Sequence, residues 1–272
     1  MTKCATAKGT APVSVVVPIY NAEATLARAL ASVYSQTLLP SEVLCIDDGS
    51  RDRSEHVAAA FEHVGGPPLR WLRMASNRGP AAARNHGIDA ASQAYIAFLD
   101  ADDAWHPQKL QLQLHAMQAQ QLDLLGSHLC VSRTATWSPP PLPAELPIRT
   151  VGLWRAMLSN PYHTSAVVMR RDPAFRFPET GALGEDFALW LHCIAAGWRS
   201  AHHPATLSAM FKESFGDAGL SRHLMRMQRG ELAALIDIGK HGHPLAAALT
   251  IPWSCGKFVR RLLLTWLRKR PL

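Results

Sequence analysis

The sequence contains no Cys-x-x-Cys pair, and its five cysteines (Cys4, Cys45, Cys130, Cys193 and Cys255) stand far apart. That spacing excludes the usual zinc and dithiol patterns, and the odd number argues against a disulfide framework, so free thiols in a reducing compartment are expected. The stretch from Met1 to Pro12 holds two lysines but lacks the apolar segment of a secretory signal. Nor does any uncharged apolar run reach the ~18–20 residues needed to cross a bilayer. A cytoplasmic protein is the expectation. Charged residues are sparse, at 18% against 48% apolar, which suits a chain with a full core rather than a disordered one.

The 272 residues fit one large α/β domain, alone or with a modest appendage. The net charge of +7 is unevenly placed. Residues 219–272 carry ten Lys/Arg against only Glu231 and Asp237, whereas the first 218 residues carry eighteen against nineteen acids. Basicity belongs to the tail, so the body shows no footprint for nucleic acid and none is expected as a partner.

Apolar runs and helical patterns alternate through the first half. Val13–Pro18, Val43–Asp47, Arg70–Ala75 and Tyr95–Leu99 read as strands. Between them, Leu26, Ala29, Leu30 and Val33 mark one helix face, Val57, Phe61 and Val64 a second, and Pro80–Ala91 a third. Repeated βα units imply a Rossmann-like, mostly parallel sheet covered by helices on both faces. A further helix is expected from Pro107 to about Leu122. The five prolines within 138–147 read as an extended connector. Ser165–Arg170 reads as a strand, Glu185–Ala196 as a helix closed by Gly197, and the chain after Arg222 as helical. The organisation expected is a tail over 1–12, a domain over 13–220 with halves at 13–125 and 126–220, and a basic helical extension over 221–272.

Ligands of parallel α/β sheets bind beyond the carboxyl ends of the strands. Three polar clusters follow strands directly: Pro18-Ile19-Tyr20-Asn21, Asp47-Asp48-Gly49-Ser50 and Asp100-Ala101-Asp102-Asp103. A single Asp there would be an ordinary helix cap or turn residue. Three successive clusters should instead converge on one rim. Three carboxylates within four residues repel each other, a cost that makes sense if a divalent cation neutralises them. Hard oxygen ligands of this kind suit Mg²⁺ or Mn²⁺ held together with substrate phosphates. The alternative is a solvated acidic turn before the helix at Pro107, a part Asp103 could play, and Asp103 stays outside the metal set.

Four segments taken together resemble the family-2 glycosyltransferases of GT-A fold. They are Val15–Asn21, Ile46–Ser50, Asn77-Arg78-Gly79 with Ala83-Arg84-Asn85, and Phe98–Asp103, with a weaker echo at Gly184-Glu185-Asp186 and Trp190. The resemblance implies an inverting, metal-dependent transferase that moves a sugar from a nucleotide-sugar, typically a UDP-sugar. Its acceptor would be a saccharide or lipid-linked saccharide, in cell-surface polysaccharide assembly. Pro18 and Tyr20 would line the nucleobase pocket and Asp48 would hydrogen-bond the base. Arg84 would lie near the diphosphate or sugar, Asp100 by the ribose and metal, and Asp102 on the Mn²⁺ or Mg²⁺. Asp186 would be the catalytic base, with Glu185 its competitor. Acids at a helix start are otherwise commonplace, since the helix dipole favours them. Arg78 and Arg84 also make chemical sense as phosphate donors.

Other readings stay open. A nucleotide-sugar-binding module without catalysis would keep Asp48 and Asp102 but need no base. A nucleotidyltransferase of related architecture would want a Gly-rich, Lys-containing loop that this N-terminus lacks. Gly219-Leu220-Ser221-Arg222 weakly resembles the family loop that closes over the diphosphate. The histidines, including His163, His202, His203, His241 and His243, show no zinc spacing. Trp154, Trp190 and Trp198 could stack on sugars, with core packing expected for at least two. Residues 255–272 combine six Lys/Arg and no acid with apolar residues. As a helix they set Lys257, Arg261 and Arg268 on one side and Phe258, Leu262 and Trp266 across. Such a helix either contacts an anionic membrane surface, making the protein peripheral on its inner face, or packs on the domain with a basic rim.

Overall fold

The β-branched run Val13–Val17 forms the middle of β1 (Thr10–Ile19), and its side chains are buried on both faces, as in the interior of a parallel sheet. A computed structural model of the chain describes residues 9–62, 64–132, 134, 136–142, 147–179, 183–211 and 224–268, with side chains to 264. Beside β1 lie β2 (Leu39–Asp47), β3 (Leu69–Arg73) and β4 (Tyr95–Phe98), all parallel, in the order β3-β2-β1-β4. Their crossovers are α1 (Leu26–Tyr34), α2 (Ser54–Ala59) and α3 (Pro80–Ala90).

The second half adds β5 (Asp103–Trp105), α4 (Lys109–Gln120), β6 (Leu124–Val131), β7 (Arg149–Thr150) and α5 (Leu153–Leu158). Then come β8 (Val168–Arg170), α6 (Glu185–Ala195), β9 (Ser200–Met210), α7 (Leu224–Lys240) and α8 (Pro244–Arg268). The sheet continues from β4 as β8-β6-β9-β5, with β7 also on β9. Among the described residues, six of the nine strands run one way and β5, β7 and β8 run against them. The expected mostly parallel sheet flanked by helices is what the chain builds.

Side-chain alternation gives the sheet two cores. Val16, Leu44, Ile96 and Phe98 share one with α3, α5, α6 and α7; Val15, Val43, Ala97 and Leu99 share the other with α1 and α4. Trp190 and Trp198 are buried in the first core, while Trp154 is half exposed. Gly87 brings α3 onto β1, since a Cβ there would stand 2.3 Å from Val16 Cγ1.

Among the described residues, four strands escaped the sequence reading, one of them the two-residue β7. β5 is three residues long and hidden in the acid cluster, and β6 and β9 lack clean apolar alternation. The helix expected from Pro107 starts at Lys109.

The basic C-terminal region is helical. From α7, Ala234, Leu235 and Ile238 enter the first core together with Ala247 of α8. Gly230 lets α7 touch the turn before α6: an added Cβ would stand 1.6 Å from the Leu183 carbonyl oxygen. No helix among the described residues is long and apolar enough to cross a membrane.

Candidate active site

Registers place the three polar clusters on one rim. Ile19 at the end of β1 pairs with Asp47 at the end of β2, and Val16 pairs with Phe98, two residues before Asp100. Beyond these ends opens a cleft of about 620 Å³ lined by Pro18, Tyr20, Asp48, Arg84, Asp100 and Asp102, with Gly79 and Pro80 at the start of α3. All six residues expected on the donor side therefore share one cavity. Tyr20 is the exposed aromatic of the wall, free of core packing.

Each carboxylate of the Asp47-Asp48 pair has a defined task. Buried Asp47 accepts the Ser50 N–H at 2.7 Å, closing a turn in which Gly49 takes φ +83°. Buried Asp48 accepts the backbone N–H groups of Arg78 and Gly79, one on each oxygen, both at 2.7 Å. It thereby braces the Asn77-Arg78-Gly79 loop against the cleft. Each carboxylate oxygen keeps a second lone pair, so a donor on a base can still be met. Arg78 itself turns to Glu179, with Nη2 2.5 Å from Oε2.

The acid cluster is tightly grouped: Asp100, Asp102 and Asp103 each bring a carboxylate oxygen within 4.8 Å of the others. Asp103 begins β5 and accepts the Ser165 hydroxyl at 2.5 Å, while Ser165 Oγ accepts the Asp100 N–H at 3.1 Å. Ser165 lies in a 3-10 turn over Thr164–Ala166. It clamps the acid loop, and nothing in its surroundings in the sequence announces that task. Asp103 is thus a structural strand residue and not a helix cap, which leaves Asp100 and Asp102 nearer the cleft. Two carboxylates at this separation, facing an open cleft, fit a hard divalent cation.

Arg84 links this cluster to the second half of the chain. Its buried guanidinium sits 2.7 Å from Asp100 Oδ1 and 3.5 Å from Glu185 Oε1. Burial opposes its charge, but Asp100, Glu185 and Asp186 more than offset that and hold its pKa above the ordinary arginine value. Glu185 also accepts the Gly184 N–H.

Asp186, one residue on in the first turn of α6, is only partly covered and is not among the cleft-lining residues. Its carboxylate accepts the Phe187 N–H at 2.7 Å. Burial, then repulsion from Glu185, push it up to about 6, against the pull of that hydrogen bond and Arg84. A carboxylate poised near neutrality is what proton abstraction from a hydroxyl requires. Glu185 is committed to Arg84 and Gly184, so the two acids have different duties.

The Gly219-Leu220-Ser221-Arg222 segment lies outside the described residues. His202 and His203 sit in β9, away from His241 and His243 near the α7–α8 turn. His241 instead joins His192 and Asp237, where His192 Nε2 lies 2.6 Å from Asp237 Oδ2 and His241 Nδ1 meets the Asp237 carbonyl at 2.8 Å.

Residues 14–175 match the family model described as Glycosyl transferase family 2. The succinoglycan biosynthesis protein ExoO of Rhizobium meliloti is 30% identical over 206 residues, 71% of this chain and 58% of that protein. This chain thus spans little more than half of that relative's length. Among solved structures, S. aureus TarS 1-349 in complex with UDP-GlcNAc superposes with a TM-score of 0.68 at 18% identity, covering 84% of this chain and 66% of that one. The mannosyltransferase PcManGT from Pyrobaculum calidifontis, in complex with GDP-Man and Mn²⁺, gives a TM-score of 0.65 at 17% identity, covering 96% and 76%. At these identities the structural likeness speaks for the fold.

Proposed function

Because the chain belongs to glycosyl transferase family 2, with a GT-A fold, we propose that it transfers one sugar from a UDP-sugar to a saccharide or lipid-linked saccharide with inversion at the anomeric carbon. Cell-surface polysaccharide assembly is the setting, in keeping with the succinoglycan role carried in ExoO's name. The observation that carries this reading is the bridge made by Arg84. It joins Asp100, on the donor cleft, to Glu185, beside a carboxylate with the pKa of a base.

Tyr20 and Pro18 form the wall on which the nucleobase stacks, and Asp48 accepts a base N–H on an oxygen already oriented by the Arg78 and Gly79 amides. A UDP-sugar is favoured by the family resemblance and by TarS, which binds UDP-GlcNAc, although PcManGT holds GDP-Man in a similar fold. Asp102, with Asp100 beside it, would hold Mn²⁺ or Mg²⁺, which supplies positive charge to the departing diphosphate when bound. Arg84 keeps Asp100 in place and adds its own positive charge to the cleft wall. Asp186 takes the proton of the acceptor hydroxyl as that oxygen bonds to the anomeric carbon and the bond to the nucleoside diphosphate breaks.

A donor panel with Mn²⁺, read by UDP release and by NMR of the product anomer, tests this. An α-linked donor should give a β-linked product, and retained configuration overturns the mechanism. Donor binding without turnover in the parent protein would make the chain a binding module instead.

A further inference from the structure

Helix α8 turns polar as well as apolar residues inward. Beside Ala247, which joins the first core, Thr250 and Ser254 are buried, and Ser254 Oγ accepts a hydrogen bond from Gln228 of α7 at 3.0 Å. Further along the same face Lys257 pairs with Glu231 at 2.8 Å, and Arg261 reaches its other oxygen at 4.0 Å. Two of the three basic residues that the sequence set on one side of the helix thus point at the protein. The outward face is apolar. Leu245 (78% exposed), Leu249 (64%), Trp253 (55%), Val259 (54%) and Leu263 (56%) recur at helical spacing, with Arg260 beside them. The patch continues onto α5, where Trp154 and Leu158 are exposed and the Leu158 carbonyl accepts both Trp253 Nε1 (3.0 Å) and Lys257 Nζ (3.1 Å).

We propose that this outward stripe of α8, with Trp154 and Leu158 of α5, is the surface by which the protein lies on an anionic lipid bilayer. An apolar stripe this long needs cover. Charge decides between the candidates. Neither α5 nor α8 contains an acid, and Arg155 and Arg260 are exposed beside the apolar side chains, so a second copy seated on the stripe would bring like charges together, whereas anionic headgroups complement them. Trp253, apolar in body and with its N–H engaged on a backbone carbonyl, suits the interfacial depth. The surface lies one helix away from α6, which starts at Glu185 and Asp186, because α8 packs on α7 and α7 on α6. Lipid contact through this stripe adds to the transferase reading without depending on it.

The test is co-sedimentation of the full chain with equimolar phosphatidylglycerol–phosphatidylcholine vesicles, in the absence of donor and acceptor. The parent should bind these vesicles and bind pure phosphatidylcholine less. Leu249→Glu with Leu263→Glu should weaken binding by roughly tenfold or more while leaving thermal unfolding intact, since both side chains are exposed. Removing the inward pair, by Gln228→Leu with Ser254→Ala, should leave binding as in the parent. If the first variant fails to fold, Leu245→Gln with Leu249→Gln takes its place. A parent that ignores the vesicles, or one whose binding depends on the inward pair but not on the stripe, overturns the proposal. So does a dimer in size exclusion that the stripe variant dissociates without any lipid binding in the parent. UDP binding, measured alongside, reports on the transferase reading separately.

Discussion

Replacing Asp186 with Asn should make the protein more stable and nearly inactive at once. Asparagine keeps the size and the acceptor that receives the Phe187 N–H, but it carries no charge to desolvate and does not repel Glu185. The folded state raises the Asp186 carboxyl from an ordinary 3.8 to about 6. Between those values the native protein binds more protons than the unfolded chain, so stability from this group falls as pH rises. It is fully present below pH 3.8 and gone above about 6. A rise of that size corresponds to about 3 kcal/mol, and partial exposure of the side chain reduces this to about 1–2 kcal/mol.

For a chain of this size, about 2–4 °C of melting temperature accompanies each kcal/mol. Asp186→Asn should therefore melt a few degrees higher than the parent at pH 8 and show little difference near pH 4. Over the same substitution kcat should drop by roughly 10²–10⁴, the range for loss of a general base. UDP affinity should hardly move. In the parent, kcat/KM should fall by roughly tenfold per pH unit on the acid side of pH 6, as the base becomes protonated. Calorimetry at two pH values and steady-state kinetics give both halves. A variant that is equally destabilised at pH 4 and pH 8 would show that Asp186 is a helix-start residue and no more. Near-normal turnover would move the base to Glu185, for which Glu185→Gln is the parallel control.

Asp102→Ala should abolish transfer and remove the Mn²⁺-dependent tightening of UDP binding in titration calorimetry; unchanged metal-dependent affinity would refute its assignment. Asp48→Ala should weaken UDP by about 1–3 kcal/mol with or without metal, because it removes a charged acceptor and frees the 77–79 loop. Equal parent affinity for UDP and ADP would count against a uridine-selective wall. Gly230→Ala gains helix propensity worth about 1 kcal/mol, yet the new methyl would collide with a backbone oxygen that cannot step aside. The collision should win, with a net loss of about 1–3 kcal/mol read by chemical denaturation; a stabilised variant would contradict the packing.

The cleft was legible because its polar residues sit directly after strongly apolar strands. The strand fixes the direction of the chain, and Asp48, Asp100 and Asp102 come to one rim whatever the loops do. The tasks of individual atoms were not legible. Arg84 reads as a phosphate donor by residue type, and only folding shows its guanidinium engaged with Asp100 and Glu185. Ser165, which holds both the Asp100 amide and the Asp103 carboxylate, is 62 residues from the nearer of them along the chain. Which side of α8 faces the protein was equally hidden. Both of its faces mix apolar and basic residues, and the choice is made by Gln228 and Glu231 on a different helix.

The glycine at position 230 makes α7 and the turn before Asp186 one mechanical body. With only a hydrogen where a side chain would stand, α7 rests against the peptide of Leu183, three residues before Asp186. Any force that reaches α7 through its helical partner is passed to the turn from which that aspartate springs. A protein cut before α7 would lose not just a basic appendage but the backing of the turn that leads to Asp186, the base proposed above. Truncation would therefore disturb the proposed lipid contact and the proposed base together, whereas point substitutions on the outer stripe reach the first alone.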